Sequence, residues 1–383
     1  MPIGNEPVAR MPMPRPTVVV LGGYGNFGRR VAAALASDNA YRVLIAGRDL
    51  GKAKAVANEI GGGAEPLAVD CYAADFATQL QHADANVVIH TAGPFQAQSY
   101  SVPRACIKAR AHYLDIADGR AYVCGIGELD AEAKLNRVLV VSGASSLPAL
   151  SSAVVDELRG QFSRIDSIEH GITSGAKPPG LATMSGVMSY VGRPFTRWVN
   201  GDWEFAFGWQ DIVARRYPPP IGTRWIANCD VPDLELFPER YAPVRTVVFR
   251  AGVGFATSTL AVWAASWLVR ARLMKTLAAH APVMHRAAAA LEPFGTKWSA
   301  MHVTLRGAGL NALPLSRTWL LQAGSDHGPN IPCFPAIALA RKLLRGEITQ
   351  RGAVPCMGLL SVAEILQAIP GLDLTTREVS IER

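Results

Sequence analysis

The first half of the chain alternates short apolar runs with segments in which apolar residues recur every three or four positions. The runs are typical of buried strands, and the segments between them are typical of helices that bury one face. Predicted strands cover 17–21, 41–45, 66–69, 86–90, 113–119 and 138–141. Predicted helices cover 29–35, 52–60, 75–82, 99–110 and 129–136. This α/β alternation predicts a Rossmann-type doubly wound parallel sheet over residues 17–150.

The second half of the chain lacks this strict alternation. Strand-like runs at 167–173, 244–249 and 302–305 stand among helical segments at 278–291 and 336–344. The mixture predicts a second α/β (α+β) domain after the first sheet. At the other end, residues 1–16 are rich in proline and lack the apolar core of a secretory signal, so they are predicted to form a flexible arm.

A glycine motif joins the first predicted strand to the first predicted helix. It reads Gly23-Tyr24-Gly25-Asn26-Phe27-Gly28 and follows directly on the apolar run at 17–21. In a dinucleotide-binding fold the first glycine makes a tight turn, the second lets the backbone approach the pyrophosphate, and the third packs helix against strand. Free N–H groups at the helix N-terminus then hold the diphosphate. Residues 23–28 are therefore predicted to bind the cofactor.

The residues after the second predicted strand indicate which dinucleotide binds. Chains that bind NAD usually carry an acidic residue here for the ribose 2′-hydroxyl. This chain has Arg48, with Lys52 one helical turn later, and both cations could hold a 2′-phosphate through charge-assisted hydrogen bonds. The alternative is that both are solvated charges at a helix start where Asp49 supplies the N-cap. The pattern favours NADP.

Three further candidates follow predicted strands, at the sheet edge where open α/β sheets bind ligands. Asp70 comes after the third strand, where a side chain can reach the adenine ring. Thr91-Ala92-Gly93-Pro94 comes after the fourth, where small residues let the backbone approach the nicotinamide ribose. Asp118 lies near the end of the predicted strand 113–119, and it is a candidate site residue or part of an ordinary Asp-Gly turn.

The charge and the cysteine content limit the classes of binding partner and the cellular compartment that we expect. The formal net charge is +7, but lysine and arginine are spread along the chain without a polybasic block. We therefore expect an anionic cofactor and a small-molecule substrate, and no nucleic acid. The six cysteines show no CxxC pair and no metal-like Cys/His spacing. They are typical of reduced intracellular thiols, which predicts a cytoplasmic protein with no metal site.

An apolar segment at 256–269 carries no charge and is followed by Arg270 and Arg272. It is shorter than the roughly 20 residues that span a bilayer, so no transmembrane segment is predicted. The segment favours a buried or interface helix over one that contacts a membrane surface. It would also serve as a dimer face, and a homodimer is expected.

Four motifs, at residues 22–25, 91–96, 112–119 and 326–329, resemble the saccharopine dehydrogenase-like oxidoreductases, whose N-terminal domains bind NADP. The resemblance implies that residues 151–325 form a domain for substrate binding and dimerisation. It also implies that C-terminal helices within 326–383 return to the first domain. Substrate would then bind between the two domains, with the Gly-, Ser- and Pro-rich stretch 174–192 near the crevice.

Hydride transfer is the chemistry of the cofactor, so the protein must position it and manage one proton. The predicted proton donors near the crevice are Asp118, Tyr113 and His327. The resemblance implies hydride transfer to or from the C–N bond of an imine or secondary amine. Two alternatives stay open. One is an enoyl or carbonyl reductase acting on a hydrophobic substrate, and the other is a non-catalytic sensor that binds NADP.

Overall fold

The computed structural model describes residues 15–380, and the first part of this range builds a parallel sheet. The strands are β1 (Thr17–Leu21), β2 (Arg42–Gly47), β3 (Ala64–Ala68), β4 (Ala85–His90), β5 (His112–Asp115) and β6 (Leu139–Ser142). The helices are α1 (Asn26–Ala36), α2 (Leu50–Ile60), α3 (Phe76–His82), α4 (Ser101–Lys108), α5 (Arg120–Cys124) and α6 (Asp130–Leu135). Neighbouring strands run parallel, with a helix between successive strands, which confirms the predicted Rossmann-type sheet.

The rest of the chain mixes strands and helices. The strands are β7 (Phe162–Thr173), β8 (Pro194–Val199), β9 (Asp202–Phe207), β10 (Val213–Arg216), β11 (Thr223–Asn228), β12 (Thr246–Gly252), β13 (Ser299–Gly309), β14 (Pro314–Ala323), β15 (Gly352–Pro355) and β16 (Leu374–Ser380). The helices are α7 (Ser151–Leu158), α8 (Leu181–Tyr190), α9 (Asp233–Arg240), α10 (Ala256–Arg270), α11 (Ala281–Leu291), α12 (Phe334–Leu344) and α13 (Val362–Leu366). The predicted second domain of mixed type is confirmed.

Two sheets organise the described residues. The first has seven strands in the order β15-β6-β5-β4-β1-β2-β3, so the strand order reverses between β1 and β4. Ligands of open parallel sheets bind at the carboxyl ends of the strands beside such a reversal. The second sheet has nine strands, with the path β10-β11-β12-β7-β13-β14-β16 and the β8–β9 hairpin attached to β12.

The burial pattern explains why the first sheet forms. All five residues of β1 are buried, as expected for a strand covered by helices on both faces. The adjoining α1 buries Val31, Ala32 and Leu35 against the sheet, on one side of an otherwise polar helix. Helix propensity alone would leave so short a helix marginal in water, so its packing on the sheet stabilises it.

Arg120 links the two sheets close to the candidate site. Its guanidinium Nε donates to Glu235 Oε2 at 2.8 Å, and Nη1 donates to the Thr196 carbonyl at 2.7 Å and to Asp230 Oδ1 at 3.2 Å. The side chain of Arg120 is only 11% exposed, so these charge-assisted bonds are shielded from water. They fix the segment that carries Asp118 relative to the second sheet.

The structure corrects several element predictions. Strand β5 ends at Asp115, so Asp118 lies in the following loop instead of in a strand. The stretch 174–192, expected as a loop, contains helix α8. The segment 326–383, expected as helices, also holds β15 and β16, because each pairs with an edge strand whose backbone groups would otherwise lack partners. Of the predicted arm, residues 1–14 lie outside the described residues.

The apolar segment at 256–269 forms helix α10, whose Thr259, Val262, Ser266 and Val269 are buried. Its opposite side is exposed, with Trp267 46% accessible to solvent. The expected buried or interface helix is therefore buried along one face only. Among residues 15–380, none of the helices combines the length and apolarity needed to cross a bilayer.

Candidate active site

A cleft of about 790 Å³ opens at the carboxyl ends of the first sheet. Its walls come from the loops after β1, β2, β3, β4, β5 and β6, and they are closed by Ile172 of β7, residues 180–183 at the start of α8, and Pro332. The cleft therefore lies between the two sheets, where the resemblance placed the substrate.

The glycine loop forms the floor of the cleft at α1. Gly22 has φ +73° and donates its N–H to the Ala46 carbonyl at 2.9 Å, which makes the turn out of β1. Gly22 lines the cleft together with Tyr24, Gly25, Asn26 and Phe27. No side chain caps the first turn of α1, and the turn carries no acidic residue. The loop therefore fits a dinucleotide diphosphate bound by helix N–H groups.

Two of the predicted glycines support this loop without lining the cleft. A Cβ on Gly28 would lie 2.2 Å from the Gly22 carbonyl oxygen and 2.6 Å from Thr91 Oγ1. A Cβ on Gly23 would lie 3.0 Å from Ile45 Cγ2. Gly28 thus allows α1 to pack against the loop, as predicted for the third glycine. The tight turn predicted at Gly23 belongs to Gly22, the preceding glycine.

The end of the cleft near β2 and β3 presents one cation. Arg48 lines it, as do Asp70, Cys71 and Tyr72. Lys52 does not, because its ammonium lies 3.4 Å from Asp49 Oδ2 on an exposed helix start. Of the two cations predicted to hold a 2′-phosphate, Arg48 lines the cleft and Lys52 stands at the exposed helix start beside it. An arginine at this position suits a 2′-phosphate, because a guanidinium offers several donors to its oxygens.

The turn after β4 forms the middle of the cleft. Residues 91–94 all line it, as predicted, and the Gly93–Pro94 bond is cis. Thr91 Oγ1 donates to the Leu21 carbonyl at 2.7 Å, which joins this turn to the end of β1. Gln98 Nε2 donates to the carbonyls of Ala92 and Pro94 at 2.8 and 3.0 Å, so the turn is held from both sides.

Asp118 lies in the cleft, partly buried, and one hydrogen bond orients it. Gln96 Nε2 donates to Asp118 Oδ1 at 3.0 Å. Burial raises the pKa of the Asp118 carboxyl, and the Gln96 hydrogen bond opposes this without cancelling it. The Oε1 atoms of Gln96 and Gln98 are buried with no partner among the described residues. Both amide oxygens are closed off from solvent, so the side-chain acceptor of this group that a ligand in the cleft can reach is the Asp118 carboxylate.

Tyr113, a predicted proton donor, lies away from the cleft. Its ring is fully buried in the sheet, and its hydroxyl lies 3.0 Å from both His90 Nδ1 and the Tyr122 hydroxyl. Burial raises the pKa of Tyr113 and lowers that of His90 to about 4. Tyr113 stands in the middle of β5, where the alternation of side chains directs it into the core instead of toward the edge. The prediction for Tyr113 finds no support in its position.

Asp115 belongs to the same buried group. Its Oδ1 accepts hydrogen bonds from the N–H groups of Gly143 and Ala117 and from the Ser142 hydroxyl, at 2.7, 3.0 and 3.0 Å. Burial nevertheless raises the pKa of Asp115 to about 6. These bonds fasten the turn after β6 to the end of β5, so Asp115 positions the wall of the cleft.

His327 also lies outside the cleft. Its Nδ1 accepts a hydrogen bond from the Asp373 backbone N–H at 2.8 Å, and it precedes the turn Gly328–Cys333. The imidazole therefore anchors the chain segment that leads into β16. The neighbouring turn reaches the cleft through Pro332 alone among its described residues. The role of proton donor predicted for His327 has no geometric support.

Sequence reasoning missed several residues of the cleft wall. Ser145, Ser146 and Leu147 line it after β6, and residues 180–183 line it from α8. The signal for the first group is the run of small residues at 142–148, directly after the predicted strand 138–141. The signal for the second was the Gly/Ser/Pro composition of 174–192, from which only a general binding loop was expected.

A buried Ser–Asp–His cluster lies outside the cleft. Ser151 Oγ donates to Asp233 Oδ1, and His170 Nε2 lies 3.1 Å from the same oxygen. The serine thus meets the aspartate and not the histidine, and all three side chains are fully buried. This order does not suit nucleophilic catalysis, in which the histidine must activate the serine. Within 15–380, no group of three or more His, Cys, Asp or Glu side chains is placed to hold a metal ion.

Comparison with known proteins identifies the cofactor domain. Residues 18–141 match the family model described as the saccharopine dehydrogenase NADP binding domain. This match establishes NADP as the cofactor and covers the glycine loop, Arg48 and the turn after β4. No curated protein matches the chain significantly in sequence.

Solved structures share the fold over nearly the whole chain. Apo saccharopine dehydrogenase (L-Glu forming) from Saccharomyces cerevisiae is 15% identical with a TM-score of 0.65, covering 95% of this chain and 100% of that chain. Homospermidine synthase from Legionella pneumophila, in complex with NAD, is 10% identical with a TM-score of 0.62, covering 96% of this chain and 92% of that chain. Residues 18–141 thus carry a saccharopine dehydrogenase-type NADP-binding domain, as the motifs within that range indicated, and the whole chain shares the fold of these structures.

Proposed function

We propose that this oxidoreductase transfers a hydride between NADP and the C–N bond of an imine or secondary amine. The observation that carries the proposal is the Asp118 carboxylate in the cleft, which Gln96 holds in place through a hydrogen bond to Oδ1. An amine or iminium presents an N–H donor that this carboxylate can accept, whereas an ester or ketone presents none. The fold relatives named above are also named for amines.

Bound NADP supplies or accepts the hydride at its nicotinamide ring. The glycine loop and Arg48 would hold its diphosphate and its 2′-phosphate, and residues 91–94 would lie beside its nicotinamide half. Asp118 is the proposed proton carrier, because it lies in the cleft and burial keeps its pKa above the ordinary range. In amine oxidation its carboxylate receives the N–H proton, and in imine reduction its carboxyl returns a proton to nitrogen. Gln96 orients the carboxyl for both directions.

A second candidate function follows from the apolar part of the wall. Phe95, Ile116, Leu147 and Ile172 line the same cleft as Asp118. These side chains favour a substrate with an apolar body, which is also what an enoyl or carbonyl reductase would require. The two functions differ in whether turnover needs a substrate nitrogen.

The proposal is tested by following the absorbance of NADPH during incubation of the enzyme with three substrate panels. The panels are preformed imines, keto acids or ketones mixed with amines, and enoyl esters. We expect turnover with the first two, and with ketones only when amine is present. Turnover of enoyl esters or ketones without amine would replace the proposal with the second candidate. Tight NADPH binding with no turnover in any panel would favour a sensor.

Asp118→Asn tests the proposed proton carrier. We expect kcat to fall by roughly 10²- to 10⁴-fold, the usual contribution of one general acid or base, with NADPH affinity almost unchanged. In the parent enzyme, imine reduction should decline as pH rises through a pKa above that of an ordinary carboxyl, and amine oxidation should rise through the same pKa. Asp118→Glu should restore part of the rate and the pH dependence.

The exposed Asp75→Asn provides the matched control, since Asp75 lies before α3 and away from the cleft. Its rate should equal that of the parent. An unchanged pH profile in Asp118→Asn would remove Asp118 from the mechanism.

We also propose a homodimer that works in the cytoplasm. The exposed stripe of α10, with Leu260, Trp267 and Leu268 between 38% and 46% accessible, supports a self-association surface. The six unpaired cysteines support a reducing compartment. Sedimentation velocity should show a dimer that Leu268→Asp weakens. A monomeric parent that floats with anionic vesicles would instead assign the stripe to membrane-surface contact.

A further inference from the structure

A second concave site lies on the far side of the strand that closes the cofactor cleft. Side chains alternate along β7, so Ile172 faces the cleft while Glu169, three residues earlier, faces the opposite side of the sheet. There a groove of about 630 Å³ lies on that face of the second sheet, with its edge strand β10 forming one wall. We call it the arginine groove, because Arg215, Arg216, Arg250 and Arg306 line it.

The charges in the arginine groove do not balance. Glu169 is its only carboxylate among the described lining residues, against four guanidinium groups. Arg306 Nη1 donates to Glu169 Oε2 at 2.9 Å, which is an ordinary ion pair. Arg250 Nη1 and Arg215 Nη1 lie at the longer distances of 3.5 and 4.0 Å from Glu169 Oε1. One carboxylate therefore serves three arginines, and the groove keeps a net positive charge.

Several arginine donors in this groove have no partner. The Nε atoms of Arg215 and Arg250 are buried without a hydrogen bond among the described residues. Arg216 is exposed and forms no ion pair within the described range. Burial lowers the pKa of both Arg215 and Arg250 despite the nearby Glu169. Guanidinium groups without full pairing are costly to bury. Because the two Nε atoms are closed off from solvent, an oxyanion in the groove would bind the terminal guanidinium nitrogens, which here share Glu169 alone.

The shape of the groove indicates the size of the ligand. A volume of about 630 Å³ falls within the range of small-molecule sites, and strand β10 covers one side of it. The four arginines come from β7's neighbours β12 and β13 and from β10, so they surround a compact ligand instead of following a long chain. Ser167 and Thr246 add hydroxyl groups to the wall.

We propose that the arginine groove binds a small polyanion, a phosphate or polycarboxylate with at least two negative charges. Its oxygens take the guanidinium donors of Arg250, Arg215 and Arg306 through charge-assisted hydrogen bonds. Glu169 competes with the ligand for the same donors, so it sets the affinity. The site is separate from the cofactor cleft and does not depend on the proposed function.

Isothermal titration of the full-length protein saturated with NADP⁺ tests this proposal, because the bound cofactor blocks anion binding in the cleft. The probes are citrate, inorganic phosphate and acetate. We expect citrate and phosphate to bind, the more highly charged citrate more tightly, and acetate not to bind. Binding of citrate alone would identify the ligand as a polycarboxylate, and binding of phosphate alone as a phosphate compound.

Charge variants give opposite shifts if the site is real. Glu169→Gln should tighten citrate binding by about tenfold, because it removes the competing carboxylate. Arg306→Gln should weaken it by about tenfold, because it removes one charged donor. Arg286→Gln on the exposed face of α11 is the matched control and should change nothing. NADPH affinity should be the same in all three, which shows that they are folded.

Two results would overturn the proposal. The first is equal citrate affinity in Arg306→Gln and Arg286→Gln, which would mean that the anion binds elsewhere. The second is a change in sedimentation coefficient in Glu169→Gln without any change in citrate affinity. That outcome would show that the groove is an interface between two copies of the chain.

Discussion

The cofactor cleft and the arginine groove lie on opposite sides of β7 and are built in different ways. The cleft uses backbone groups and small residues from two short segments, 22–28 and 91–98, at the ends of adjacent parallel strands. The groove uses charged side chains from four strands between residues 167 and 306. Recognition through backbone requires glycine at fixed spacing, which is visible in a sequence. Recognition through converging side chains leaves no local pattern.

The largest expected effect concerns the backbone packing of the cleft. Gly28→Ala should lower the free energy of unfolding by about 3 kcal/mol, because the new Cβ would lie 2.2 Å from the Gly22 carbonyl oxygen, which cannot rotate away. The same displacement should reduce NADPH affinity. Urea unfolding and fluorescence titration of NADPH measure the two effects.

Gly127→Ala is the control for this substitution, since a Cβ there meets nothing within 4 Å. It should leave both quantities almost unchanged. Equal behaviour of the two variants would show that the loop tolerates a side chain and that the close packing is not required.

The second effect contrasts the carboxylates of the two regions. Burial raises the pKa of Asp115 to about 6. Burial alone would also raise the pKa of Glu169, but Arg306 and its neighbours lower it overall. A carboxyl whose pKa is raised by folding stabilises the native state at a pH below its unfolded pKa of about 3.9. That contribution is lost as pH rises through about 6. A carboxyl whose pKa is lowered by folding stabilises the native state at a pH above its unfolded pKa. That contribution is lost as pH falls through its folded pKa.

Asp115→Asn tests this contrast, because it keeps the Oδ1 acceptor and removes the charge. From about pH 4 to about pH 8 the variant should gain about 3 kcal/mol of unfolding free energy relative to the parent. Glu169→Gln should change in the opposite sense, losing stability relative to the parent as pH rises through the acid range. Urea unfolding at several pH values measures both, and parallel pH curves for the two variants would contradict the assignment.

The third effect concerns cofactor choice. Arg48→Ala should weaken NADPH by roughly 1 to 3 kcal/mol through the loss of a charged hydrogen bond, and NADH much less. Lys52→Ala should change neither, because Lys52 pairs with Asp49 away from the cleft. Fluorescence titration of the two coenzymes measures this. Equal losses for NADPH and NADH in Arg48→Ala would show that the arginine does not contact the 2′-phosphate.

The first sheet could be predicted because its signals are local. Strand β1 is a continuous buried run and α1 has one apolar face, so both follow from neighbouring residues. Helix α8 could not, since its Gly- and Ser-containing sequence favours a loop and its packing against α11 stabilises the helix. The same limit applies to β15 and β16, whose partners are distant strand edges.

The residues of the candidate site also differ in whether local sequence predicts their position. Arg48 and residues 91–94 follow strands directly, and they lie in the cleft. Tyr113 and His327 have suitable proton-transfer chemistry, but no local sequence rule gives the direction of their side chains. Tyr113 is held in the core, and His327 is held by the Asp373 backbone. Gly22 and Gly23 are adjacent, so the motif alone did not distinguish the glycine that turns from the glycine that packs.

The smallest expected effect distinguishes a ligand-binding role of Arg306 in the arginine groove from a structural role. In a buffer with chloride as its anion, Arg306→Gln should change the free energy of unfolding by less than about 1 kcal/mol, because the side chain is 41% exposed and two other arginines stay near Glu169. Citrate should stabilise the parent through binding to the native state, and it should stabilise the variant less. Urea unfolding with and without citrate measures both terms. A loss of several kcal/mol in chloride would mean that Arg306 holds the sheet together, as glycine packing holds the cleft, and that the two regions differ less than their chemistry indicates.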